Sequence, residues 1–269
     1  MIRTSSVTHG FVDVDGVQLH HVAFGGSGAP AICLHGVTGN AFGWHDVAAE
    51  LGDRASLISL DLRGYGDSQW SPVRAYRTPD HVSDLERIVD ALGFDRVTLL
   101  GSSWGGLIAT SYAARHPDRV ERLAIVDVEP SFEQSETDLF PRPRAYDSIA
   151  AAIEYERSGN PHAAEATLEV VAATVNRPGP DGTLIPKHDP MFFERWPFRS
   201  DDHWDELPEL TMPTLLVHGR DSFVRGDVMD RMADRIPRAE VVHIDDATHV
   251  VPIDNPIALA KHLGSFLGG

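Results

Sequence analysis

The sequence predicts an α/β fold: a mostly parallel eight-stranded sheet, flanked by helices and interrupted by an inserted helical cap. Three observations carry this. Short β-branched apolar runs alternate with helical segments along most of the 269 residues. Most of those runs are apolar throughout, as strands buried on both faces require. One long stretch, residues 130–208, breaks the alternation with helical spacing and Pro/Gly punctuation and shows no convincing strand.

The elements follow in order. Phe11–Val14 and Val17–Phe24 flank Asp15-Gly16, a two-residue hairpin signal, so the sheet begins antiparallel. Six further runs read as strands: Ala31–Leu34, Ser56–Leu60, Val97–Leu100, Leu123–Val126, Thr214–Val217 and Glu240–Ile244. A helix runs from Trp104 to His116, where Pro117 stops it. The last helix opens with Asn255 as N-cap and Pro256 in its first turn, and its apolar face reads Ile257, Ala260, Leu263, Leu267. Within 130–208, Ile149/Ile153 and Leu168/Val171/Val175 give helical spacing, and Asn160-Pro161 and Asp189-Pro190 look like helix starts. Such a length is too long for a crossover and reads as a cap over a functional face, leaving 1–129 and 209–269 as the core.

Composition narrows the function classes. With 42% apolar and 23% charged residues the chain can bury a core. A net charge of −17 repels phosphate backbones and anionic lipid, so neither nucleic acid nor a membrane is the expected partner. The expected partner is a small-molecule substrate, bound by a monomer or homodimer. The single cysteine, Cys33, lies in an apolar run and excludes an intramolecular disulfide framework or a cysteine-based metal cluster. No basic start leads into an apolar leader and no run is long enough to span a membrane, which gives a cytoplasmic expectation.

The chemistry concentrates at Gly101-Ser102-Ser103-Trp104-Gly105, a G-x-S-x-G pattern between a strand and a helix. Such a turn is sharp enough to strain the serine backbone. It holds Ser103 Oγ above a helix N-terminus, whose free N–H groups favour an oxyanion. A serine needs a base, and the base needs an orienting acid. His249 lies just beyond the last strand run and Asp221 just beyond the one before it. Parallel strands deliver both to the edge that carries Ser103, in the order Ser, Asp, His that the elbow requires. Asp127, ending Leu123–Val126, stands on the same edge and could replace Asp221; its simpler role is to cap the entry to the insertion. The Gly-rich turn at His35-Gly36-Val37-Thr38 can aim a backbone N–H at the serine, so Val37 and Trp104 are the expected oxyanion donors. In Asp61–Ser68, Arg63 is expected to pair with a carboxylate. His218 reads as a turn or packing residue. No H-E-x-x-H pattern occurs, and neither metal nor cofactor is expected.

Together the His35-Gly36 turn, the Asp61–Ser68 loop, the Ser103 elbow, the Gly219–Asp221 turn and the His249 loop resemble the α/β-hydrolase fold superfamily over nearly the whole chain. The resemblance implies Ser103 as nucleophile, His249 as base, Asp221 as orienter, and the Val37 and Trp104 N–H groups as oxyanion hole. Epoxide hydrolases and haloalkane dehalogenases look similar around the elbow but carry Asp where this chain has Ser103. The chain is closer to the small capped serine hydrolases, such as enol-lactone hydrolases, carboxylesterases and C–C bond hydrolases. That implies cleavage of a small ester or lactone through an acyl-enzyme. The alternatives are C–C cleavage of a diketone-like substrate, or a non-hydrolytic lyase or ligand receptor on the same scaffold. Expected pocket residues are His35, Phe193, Trp196 and Arg199, with Arg142, Arg144, His188 and Arg195 as further candidates for a substrate carboxylate.

Overall fold

A computed structural model describes residues 7–131 and 142–268. Its main sheet has eight strands: β1 Thr8–Val14, β2 Val17–Ala23, β3 Ala29–Leu34, β4 Ala55–Leu60, β5 Val97–Ser102, β6 Val120–Val126, and, after a two-stranded insert, β9 Thr214–Gly219 and β10 Ala239–Ile244. Their spatial order is β1-β2-β4-β3-β5-β6-β9-β10. The β1–β2 and β2–β4 pairs are antiparallel and every later pair is parallel. The Asp15-Gly16 turn has positive φ at both residues, the geometry that the tight hairpin demands.

The parallel strands bury both faces, and residues alternate between two apolar layers. Ile32 and Leu34 join the layer packed by helices α2 (Thr78–Ala91) and α3 (Trp104–Arg115). Ala31 and Cys33 join the layer packed by α1 (His45–Leu51) and the last helix, α8 (Pro256–Gly268). Cys33 is a fully buried free thiol, and burial pushes its pKa up, so it is an inert core residue. In β5 all six residues are buried, and the first ten residues of α3 are buried after it. The serine turn is thereby clamped between two deeply buried elements. Truncating a side chain there, such as Leu99, costs about 2–5 kcal/mol of stability.

The segment between β6 and β9 contains α4 (Ile149–Gly159), α5 (Glu165–Val175) and a small antiparallel pair, β7 (Asn176–Pro178) and β8 (Leu184–Pro186). That pair corrects the expectation of no strand here: Gly179-Pro180-Asp181-Gly182 turns the chain back on itself, with positive φ at Asp181 and Gly182. Asn160 ends α4 rather than opening a helix, whereas Asp189 does cap a short 3-10 turn by accepting from Met191 N–H. Leu168, Val171 and Val175 form the buried face of α5. In α8, which follows α6 (Gly226–Ala233) and α7 (Val251–Asp254), the buried residues are Leu259, Ala260 and Leu263. Ile257, expected on the apolar face, is instead 65% exposed. Among the described residues no helix is long and apolar enough to cross a membrane.

Candidate active site

Ser103 is the residue between β5 and α3, and its backbone is held at φ 53°, ψ −127°. That conformation costs a non-glycine residue about 1–3 kcal/mol, so the surroundings must enforce it. They do so through two glycines. A Cβ on Gly105 would sit 2.5 Å from Leu34 O, and one on Gly36 would sit 2.8 Å from Ser103 Cβ. The turn after β3 therefore reaches the serine only because residue 36 lacks a side chain. Ser103 N–H donates to Val126 O at 2.9 Å, which ties the elbow to the neighbouring strand.

His249, in the loop after β10, completes a chain of hydrogen bonds. Ser103 Oγ donates to His249 Nε2 at 2.8 Å, and His249 Nδ1 donates to Asp127 Oδ1 at 2.8 Å. A carboxylate only accepts, so the proton must lie on Nδ1 and leave Nε2 free to receive the serine proton. The carboxylate bonded to His249 is thus Asp127 and not Asp221, the one the sequence favours. The register explains it. Ser102 pairs with Val126, so Ser103 and Asp127 leave adjacent strands at the same level, both with positive φ. Strand β9 lies one strand further out. Its loop turns Asp221 outward, 53% exposed, to pair with His162 Nε2 at 2.8 Å.

The same loop still serves the site. Gly219 N–H donates to Asp127 Oδ2 at 2.7 Å, and Ser222 Oγ–H donates to Asp127 Oδ1. Asp127, fully buried, is therefore solvated entirely by protein donors. Phe223 lays its ring 4.4 Å from that of His249. His218 holds this loop by donating from Nε2 to Val224 O at 2.8 Å, the packing role expected of it. The signal for Asp127 was present in the sequence: it follows a core strand with no intervening residue, as Ser103 does.

Trp104 is the first residue of α3, where N–H groups have no intrahelical acceptor, and Val37 follows the glycine packed on Ser103. His35 is a strut for that turn. Its Nε2 accepts from Leu62 N–H at 3.0 Å while Nδ1 donates to Gly36 O at 2.7 Å. Burial lowers its pKa, against the pull of Asp61 and the Gly36 carbonyl, so it stays neutral.

A cavity of about 440 Å³ opens beside Ser103 and His249. His35, Val37, Trp196 and Phe198 line it, together with Val171 and Val175 of α5. Arg142, Glu156 and Asn160 form a polar part of its wall. Phe193 and Arg199 are not among the lining residues, which corrects two pocket expectations. Phe193 packs instead on His188 and beneath Arg144, and Arg199 is exposed. Arg195 is also exposed. Trp104 turns its ring away from the cavity into the core, where its Nε1 donates to Thr78 Oγ1 at 2.8 Å.

Elsewhere, Arg63 pairs with Asp84 as expected, with Nε donating to Oδ2 at 2.8 Å. His20, Asp61 and Asp67 offer ligand atoms within 4.8 Å of one another. Hydrogen bonds already account for that cluster: Asp61 binds His20 Nδ1 and the N–H groups of Ala41 and Asp67, and Asp67 binds Lys187.

Known proteins agree with this architecture. A family model described as alpha/beta hydrolase fold matches residues 30–152. A soluble epoxide hydrolase of Corynebacterium sp. is 34% identical over 142 residues, 53% of this chain and 49% of that protein, so the chain spans about half of that relative's length. The N-formylmaleamate deformylase of Pseudomonas putida is 28% identical over 263 residues, 97% of each chain. Among solved structures, an E-2-(acetamidomethylene)succinate hydrolase superposes with a TM-score of 0.87 at 23% identity, covering 98% of this chain and 100% of the other. By its sheet order and its likeness to solved structures, this chain has the alpha/beta hydrolase fold.

Proposed function

We propose that the chain is a serine hydrolase that cleaves a small ester or lactone through an acyl-enzyme on Ser103. The observation that carries this reading is the unbroken chain of hydrogen bonds from Ser103 through His249 to buried Asp127, at the wall of a cavity. His249 Nε2 takes the serine proton as Oγ attacks the carbonyl. The N–H groups of Val37 and Trp104 hold the oxyanion. His249 then returns the proton to the leaving oxygen and activates water for deacylation, while Asp127 fixes the tautomer and stabilises the imidazolium. Residues 130–208 act as a cap whose helices close the cavity against bulk water. Ser103 supports acyl rather than alkyl transfer, since a carboxylate nucleophile is absent from that position.

A fluorophosphonate probe should label the wild-type protein at Ser103, and a short p-nitrophenyl ester should be turned over. Ser103→Ala should abolish labelling and lower kcat by about 10⁴–10⁶. Unchanged turnover in that variant contradicts the reading. A panel of esters, lactones and vinylogous diketones separates ester from C–C cleavage.

A further inference from the structure

We infer that the polar part of the cavity wall is a recognition site for an uncharged carboxamide group, and that it turns away carboxylates. This rests on reading the cavity as the substrate site. Three side chains make the argument. Arg142 Nη1 lies 3.0 Å from Glu156 Oε1, and Arg142 Nη2 donates to Oε2 at 3.4 Å. The guanidinium is 10% exposed and the carboxylate 5%. The arginine lies over the Tyr155 ring at 5.1 Å. Burial works against its charge, but Glu156, Tyr155 and Tyr146 together outweigh that, so the guanidinium keeps its charge.

A guanidinium has five N–H donors; one donates to Glu156 Oε2, and Nη1, though ion-paired with Oε1, has no hydrogen-bond partner among the described residues. The site therefore has donors to spare while its net charge is zero. One turn further along α4, Asn160 supplies the complement. Its Nδ2 donates to Glu156 O at 2.8 Å, which fixes the orientation of the amide, because a carbonyl only accepts. Asn160 Oδ1 is then left as an acceptor. It is buried on a residue 4% exposed, and among the described residues nothing donates to it. A buried acceptor without a donor costs stability unless a ligand or water supplies one.

Spare donors on Arg142 and a bare acceptor on Asn160 match a group that accepts and donates at once. A carboxamide does both, through its C=O and its N–H. A carboxylate can use only the donors, leaves Asn160 Oδ1 facing an oxygen, and meets Glu156 and Glu129, which also line the cavity. Among the described residues Arg142 is the only lysine or arginine lining it. The charge that would attract an anion is already neutralised by Glu156.

The test is binding of hexanamide and hexanoate, measured by ligand-observed NMR and calorimetry, so that it does not depend on turnover. Fluorophosphonate labelling is run in parallel, so that failure of the acyl-enzyme reading shows separately. Hexanamide should bind the wild type about tenfold or more tighter than hexanoate, as expected where a buried polar group is left unpaired. Glu156→Gln frees the Arg142 charge and should reverse the order. Asn160→Leu removes the acceptor and should erase the amide advantage without favouring the anion. Tighter binding of hexanoate to the wild type, no binding of either compound, or an unchanged ratio in both folded variants would overturn the assignment. If one variant fails to fold, the other still decides.

Discussion

Two loops at the same edge of the sheet each carry an aspartate, and they behave oppositely. Asp127, directly after β6, is fully buried and accepts hydrogen bonds from His249, Ser222 and Gly219. Asp221, two residues after β9, is half exposed and paired with His162. Both satisfy the chain order Ser, Asp, His, and neither residue type nor strand polarity separates the two. What separates them is adjacency in the sheet. The strand that carries Asp127 is hydrogen-bonded to the strand that carries Ser103, at matched register. The outer loop keeps a supporting role, in which its serine and glycine orient the acid that the inner loop supplies.

This contrast can be broken at several points. The largest effect is expected at Asp127→Asn, which keeps the shape but presents an N–H or a neutral oxygen to His249. By analogy with other triads kcat should fall about 10⁴-fold, with circular dichroism unchanged. Adding Asp221→Asn to that variant should lower it no further. Gly36→Ala should come next. Its Cβ must displace Ser103 from 2.8 Å, and a misplaced nucleophile costs about 10²-fold in kcat, with KM and labelling read alongside. Ser222→Ala removes one donor to the buried carboxylate and leaves Gly219 N–H in place. A hydrogen bond to a charge is worth about 1.5–3 kcal/mol, so a loss of about tenfold in kcat is expected. Asp221→Asn alone should change kcat less than about twofold and shift stability by no more than about 1 kcal/mol, as for other exposed ion pairs. A large loss there would mean that the outer loop supplies the acid in solution.

The same contrast marks where sequence reasoning has reach. All eight strands of the main sheet were legible, because each is an apolar run with turn chemistry at its ends. Ser103, His249, Gly36 and Trp104 were legible because their positions follow from those strand ends. The acid was not settled, since strand order in the sheet is a long-range property, and either aspartate satisfies the local pattern. The cavity wall was harder still. Arg142 and Arg199 look alike in sequence, yet one is buried against Glu156 in the cavity and the other faces solvent. Similarly, Phe198 lines the cavity and Phe193 does not. Which face of a short, Pro-interrupted segment turns inward depends on how it docks, and periodicity is too brief there to report it.

The most direct measurement of the central claim is proton NMR of the His249 Nδ1–H. A proton held between imidazole and a buried carboxylate resonates far downfield of the amide envelope. The resonance should appear in the wild type, persist in Asp221→Asn and vanish in Asp127→Asn. Its survival in Asp127→Asn together with its loss in Asp221→Asn would contradict the assignment of Asp127 as the residue that orients the base.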